Sequence, residues 1–75
     1  MKILVTGGSG YIGSVTTELL CNDGHAVTVF DNLERGHREA VDPRARLVVG
    51  DLREPAGIRD TLRALKPDAV VHFAA

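Results

Sequence analysis

Little in this sequence points to a disulfide, a metal or a membrane. Its single cysteine, Cys21, cannot form an internal disulfide, so nothing requires an oxidising compartment and the cytoplasm is the expected location. There is no tryptophan and only one tyrosine, Tyr11. The three histidines, His25, His37 and His72, lack the spacing of metal ligands. His25 reads as a turn residue, His37 as a loop residue and His72 as a satisfied core histidine. The longest apolar runs, Ile3-Leu4-Val5 and Ala69-Val70-Val71, are far too short to cross a bilayer. Neither sign of charge dominates: the net charge is -1, which leaves no electrostatic footprint for nucleic acid or an anionic membrane. One lysine, a strand and a glycine-rich turn do not make a signal peptide.

What is present alternates strand and helix. Lys2 to Thr6 is a short apolar run that reads as a buried strand. A helix starts near Tyr11, and Ile12, Val15, Leu19 and Leu20 recur on what reads as its buried face, with Gly24 as its stop. Cys21 falls off that face and receives no role. Ala26 to Asp31 is a second strand, followed by a polar loop from Asn32 to Arg44 with room for one helical turn. Arg46 to Gly50 is a third strand. Pro55 fits the first turn of a second helix, where its missing N–H costs nothing; Ile58, Leu62 and Leu65 mark its buried face and Pro67 ends it. Ala69 to Phe73 is a fourth strand. Strand–connection–strand units in succession imply an α/β fold, the N-terminal part of a doubly wound Rossmann domain, with a parallel sheet in the order 3-2-1-4. The length allows one domain at most, residues 1–75. The last strand calls for a covering helix and a neighbour, so the expected whole is longer, with the catalytic and substrate parts elsewhere.

Between the first strand and first helix stands Gly8-Ser9-Gly10-Tyr11-Ile12-Gly13, a G-x-G-x-x-G pattern directly after Gly7. A side chain at Gly7 or Gly10 would block the turn or the approach of a pyrophosphate, and Gly13 lets the helix pack closely on the strand. The amides of Tyr11 and Ile12, at the positive end of the helix dipole, are the expected phosphate donors. Asp31 ends the second strand, 18 residues past Gly13 and close to the expected spacing of about 20. Its carboxylate can accept both adenosine ribose hydroxyls and would repel a 2′-phosphate, which points to NAD rather than NADP. Arg35 and Arg38, just beyond, read as solvated loop residues, although either could meet a phosphate. Asp51, at the end of the third strand, has two readings: acceptor for the adenine amine, or cap of the second helix. Pro55 favours the first, because capping from Glu54 places proline at the first helical position. The small residues after Phe73 permit close approach of a cofactor. A redox Tyr-x-x-x-Lys pair is absent: Val15 lies four residues past Tyr11, and the only lysines are Lys2 and Lys66. Tyr11 is left to pack or to line the site entrance.

The runs Thr6 to Ser14, Asp31-Asn32-Leu33, Gly36-His37-Arg38-Glu39-Ala40-Val41, Gly50-Asp51-Leu52-Arg53 and Val71-His72-Phe73-Ala74-Ala75 resemble the extended short-chain dehydrogenase/reductase family, in particular its nucleotide-sugar epimerases. The one small departure is Val15, where many relatives carry histidine. The resemblance implies a tightly held NAD contacted by Tyr11, Ile12, Asp31, Asn32, Asp51, Leu52, Phe73 and Ala74. It implies interconversion of UDP-glucose and UDP-galactose through a 4-keto sugar, in a homodimer whose catalytic tyrosine and lysine lie beyond Ala75. Related NAD-dependent nucleotide-sugar enzymes, such as another epimerase or a 4,6-dehydratase, and a non-catalytic NAD-binding regulator share the same pattern.

Overall fold

The structure, a computed structural model, describes residues 1–34 and 36–73. Four strands and two α-helices alternate: β1 (Lys2–Thr6), α1 (Tyr11–Asn22), β2 (Ala26–Asp31), β3 (Arg46–Val49), α2 (Pro55–Leu65) and β4 (Ala69–His72). A single 3-10 turn, Arg38–Ala40, interrupts the loop between β2 and β3. The sheet is wholly parallel with the order β3-β2-β1-β4. Strand order and fold class are those expected from the alternation, and β3 and β4 each end one residue earlier than read.

Because β1 and β2 are central, both of their faces are covered and their sequences are apolar almost throughout. Ile3 and Val5 stand beside Val27 and Val29 in register, and together with Cys21 and Val41 they form the core on the α1 side. Leu4 and Phe30 are buried on the opposite face. Gly50 sits against the Phe30 ring so closely that a Cβ there would lie 2.5 Å from Cζ.

Helix α1 is rotated relative to the expectation. It buries Gly13, Thr17 and Cys21, four residues apart, while Ile12, Val15 and Leu19 are exposed and, of the expected face, only Leu20 packs against the core. The cause is the glycine contact. A Cβ on Gly13 would stand 2.3 Å from the Gly7 carbonyl oxygen and 2.8 Å from the Gly8 Cα, so the helix docks by this bare edge. Positions four and eight residues on share that edge. Thr17 can be buried because its hydroxyl donates to the Gly13 carbonyl at 2.8 Å. Cys21 is therefore a core residue, contrary to the sequence reading, and burial, then the nearby Asp42 carboxylate, push its thiol pKa up.

Helix α2 has Glu54 as N-cap and Pro55 at the first helical position, as expected, and ends with Lys66 in the left-handed region at φ 48° before Pro67. Its apolar face is less buried than the periodicity implies: Ile58 and Leu65 are half-buried and Leu62 is exposed. A gap of about 470 Å³ separates its C-terminal half from Lys2, Thr28, Arg46 and Val48. His72 is likewise exposed rather than in the core; its Nδ1 is hydrogen-bonded to the Thr6 hydroxyl across β4 and β1. No helix among the described residues is long and apolar enough to cross a membrane.

Candidate functional site

Parallel strands bring all their C-terminal ends to one edge of the sheet, and the ends of β1, β2, β3 and β4 together open a cleft of about 630 Å³. Its walls contain Gly7, Gly10, Tyr11, Ile12 and Gly13 from the glycine turn, Asp31 and Asn32 from the end of β2, Asp51 and Leu52 after β3, and Phe73 after β4. These are the residues singled out in the sequence. Ala74 lies outside the described residues, as does Arg35.

The turn begins where β1 runs out. The Gly7 amide donates to the Phe30 carbonyl at 3.0 Å, fixing the turn to β2, and Gly7 takes φ 81°, a conformation that a side chain would strain. Gly8 lies over Val29, where a Cβ would meet a methyl at 2.7 Å. Gly10 differs: an added Cβ would find only the Gly7 oxygen, at an ordinary 3.7 Å. The fold itself has no need of glycine there, so the bareness of Gly10 matters for what enters the cleft.

The first helical hydrogen bond runs from the Ser14 amide to the Gly10 carbonyl at 2.8 Å. The amides of Tyr11, Ile12 and Gly13 thus have no acceptor among the described residues. Gly10 offers no side-chain cap, and the first turn of α1 contains no acidic residue to offset the dipole. Three free N–H groups at an uncompensated helix N-terminus suit a phosphate. Tyr11 does not pack: it is 86% exposed, at the cleft mouth.

Across the cleft, Asp31 is held from two sides. Oδ2 accepts the Ser9 amide at 3.0 Å and Oδ1 accepts the Leu33 amide at 2.8 Å. Partial burial pushes its carboxyl pKa up, but the donations from Ser9 and Leu33 outweigh this and hold it below the usual carboxylate range. The ionised carboxylate is therefore oriented before any ligand arrives, with lone pairs still open to the cleft. The Asn32 side-chain oxygen accepts the Glu34 amide at 3.0 Å.

Asp51 does not cap α2, whose N-cap is Glu54. Its carboxylate pairs with Arg53 instead: the Arg53 Nη2 donates to Oδ2 at 2.6 Å and the backbone amide of Arg53 donates to Oδ1 at 2.8 Å. These bonds hold the Asp51 carboxyl at about 2. The same Nη2 donates to Glu34 at 2.9 Å.

Sequence reasoning did not pick out Ser9, Phe30, Glu34 or Arg53, all of which line the cleft. It also missed the docking of the β2–β3 loop on the turn, where a Cβ on Gly36 would lie 2.2 Å from the Ser9 carbonyl oxygen. An acid–x–Arg spacing in Asp51-Leu52-Arg53 was the available signal for the ion pair. No sequence signal marks Gly36 as packed on Ser9, because that contact is purely tertiary. No group of three or more potential metal ligands occurs among the described residues.

Together, these groups can take a diphosphate on free amides at one end and accept hydroxyl protons on a fixed carboxylate at the other. Comparison with known proteins agrees with this geometry. The profile of the NAD dependent epimerase/dehydratase family matches residues 3–75. The UDP-glucose 4-epimerases of Lactobacillus helveticus and Lacticaseibacillus casei are 49% and 51% identical over 75 residues, covering 100% of this chain and 23% of each relative. Among solved structures, the UDP-glucose 4-epimerase of Thermus thermophilus in complex with NAD superposes with a TM-score of 0.95 at 43% identity, covering 100% of this chain and 24% of that one. The Brucella ovis UDP-glucose 4-epimerase in complex with NAD gives 0.94 at 44% identity, over 99% of this chain and 22% of that one. The chain thus spans about a quarter of the length of the relatives it matches. It belongs to the NAD dependent epimerase/dehydratase family.

Proposed function

We propose that this chain is the cofactor-holding part of an enzyme that interconverts UDP-glucose and UDP-galactose, and that it binds NAD in the cleft at the strand ends. One observation carries the reading: the unpaired amides of Tyr11, Ile12 and Gly13 face the same cleft as the pre-oriented Asp31 carboxylate. The amides would take the pyrophosphate, with Gly10 bare so that it can approach. Asp31 would accept the adenosine ribose hydroxyls. Asp51, Asn32 and Leu52 would flank the adenine, and Phe73 and Ala74 would border the path toward the nicotinamide.

When bound, NAD supplies a reversible hydride acceptor, which suits exchange of configuration at carbon 4 of a UDP-hexose through a transient ketone. The described residues bind and orient. The single tyrosine, Tyr11, has Val15 four residues on, so this chain contributes no Tyr-x-x-x-Lys proton-transfer pair. That the relatives are UDP-glucose 4-epimerases supports the UDP-sugar substrate. A homodimer acting in the cytoplasm completes the proposal.

The test is NAD titration of the full-length protein and its Asp31→Ala variant. We expect the variant to lose about tenfold or more in affinity, the scale of a lost charge-assisted hydrogen-bonded contact. An unchanged dissociation constant would remove Asp31 from the site. Epimerisation of UDP-galactose by the full-length protein tests the reaction, and its absence in an NAD-loaded sample would refute it.

A further inference from the structure

Glu34, Arg53 and Asp51 come from two separate segments: Glu34 from the loop after β2, and Asp51 and Arg53 from the connection between β3 and α2. They meet on the cleft wall beside Asp31. Arg53 is the one cation among the described residues lining the cleft. Its donors are heavily committed: Nη2 serves Glu34 at 2.9 Å and Asp51 at 2.6 Å, while Nε serves both Asp51 oxygens at 3.0 Å. An arginine is the side chain best suited to take a phosphate in a planar, two-pronged contact. Here the Nε–Nη2 edge, one of the two prongs of that contact, is spent on two carboxylates. A dianion arriving at the adenosine end would meet Asp31, Glu34 and Asp51 against one guanidinium already paired.

Resting on the dinucleotide reading above, we propose that the Glu34–Arg53–Asp51 ion-pair chain is a second determinant of cofactor choice, excluding a 2′-phosphorylated dinucleotide by sequestering Arg53. Asp31 rejects the 2′-phosphate directly, and the ion-pair chain withholds the counter-charge that would compensate. The Arg53–Glu34 pair is exposed, with the Arg53 side chain at 74% and Glu34 at 61%, so its contribution is graded and salt-sensitive.

The experiment is to titrate the full-length protein with NAD and with NADP at low ionic strength, comparing wild type, Glu34→Gln, Arg53→Ala and the double variant. Freed from Glu34, Arg53 should raise NADP affinity about fivefold, the upper range for one exposed ion pair, while NAD affinity stays within about twofold. In the Arg53→Ala background the Glu34→Gln gain should fall below about twofold, because there is no guanidinium to release. An unchanged NADP-to-NAD ratio in Glu34→Gln would overturn the inference alone, and so would an equal gain without Arg53. Failure of the wild type to bind either dinucleotide would overturn the dinucleotide reading and this inference with it.

Discussion

Two glycines three residues apart should respond to the same substitution in opposite ways. At Gly13, alanine places a Cβ 2.3 Å from a backbone oxygen and 2.8 Å from a backbone Cα. Neither atom can rotate aside, so α1 must move off the turn. Overpacking of a tight contact costs about 1–3 kcal/mol, and a backbone obstacle belongs at the upper end. Better helix propensity returns about 1 kcal/mol, so a net loss of about 2 kcal/mol is expected. At Gly10 the nearest atom would be 3.7 Å away, and the residue already sits at φ -76°. Alanine is a poorer N-cap than glycine by about 0.5 kcal/mol, and a stiffer unfolded chain returns a similar amount. Gly10→Ala should therefore leave stability nearly unchanged. Its methyl group nevertheless enters the space that the proposed site assigns to the pyrophosphate, and NAD affinity should fall about tenfold, or ~1.4 kcal/mol. Urea unfolding and NAD titration of both variants measure the two effects. Equal destabilisation by the two substitutions would refute the distinction, as would full NAD affinity in Gly10→Ala.

Other consequences follow from the core and the surface. Cys21 is a buried thiol with a raised pKa, so in the native protein it should react with a thiol reagent at neutral pH far more slowly than in the unfolded chain. Rapid stoichiometric labelling of the folded protein would contradict its place in the core. Asp42 and Asp51 are both held at about 2, chiefly by hydrogen bonds from Arg44 and Arg53 respectively, against an ordinary 3.8. Such depressed carboxylates stabilise the fold above about pH 4, and that contribution is lost as pH falls through about 2. Urea midpoints measured across that window should fall with pH, and less steeply in high salt because the arginine partners of both groups are exposed. A midpoint flat from pH 4 to 2 would contradict the pairing.

The architecture was legible because its causes are local. Doubly apolar runs at Ile3-Leu4-Val5 and Val27 to Phe30 require cover on both faces. The long connections between successive strands, two of them helical, then imply parallel crossovers, and the order is the expected 3-2-1-4. The cleft residues were legible for the same reason: a glycine turn at the tip of β1 and a carboxylate at the tip of β2 must meet if the strands are parallel neighbours. The rotation of α1 was not legible. Hydrophobic periodicity favoured Ile12, Val15 and Leu19, yet the close seat of Gly13 on Gly7 decided the buried edge and turned those residues outward. A glycine has no hydropathy to weigh, so a pattern of apolar side chains cannot register it. The pairing of Arg53 with Glu34 and the docking of Gly36 on Ser9 depend on chain returns across 19 and 27 residues, which no local pattern encodes.

The most direct measurement is the amide spectrum of the protein, labelled with nitrogen-15, as NAD is added. The amide resonances of Tyr11, Ile12 and Gly13 should move downfield, in step with saturation, as unpaired N–H groups acquire a charged acceptor. If NAD binds and these three amides stay where they were, the diphosphate is held elsewhere and the account of the cleft is wrong.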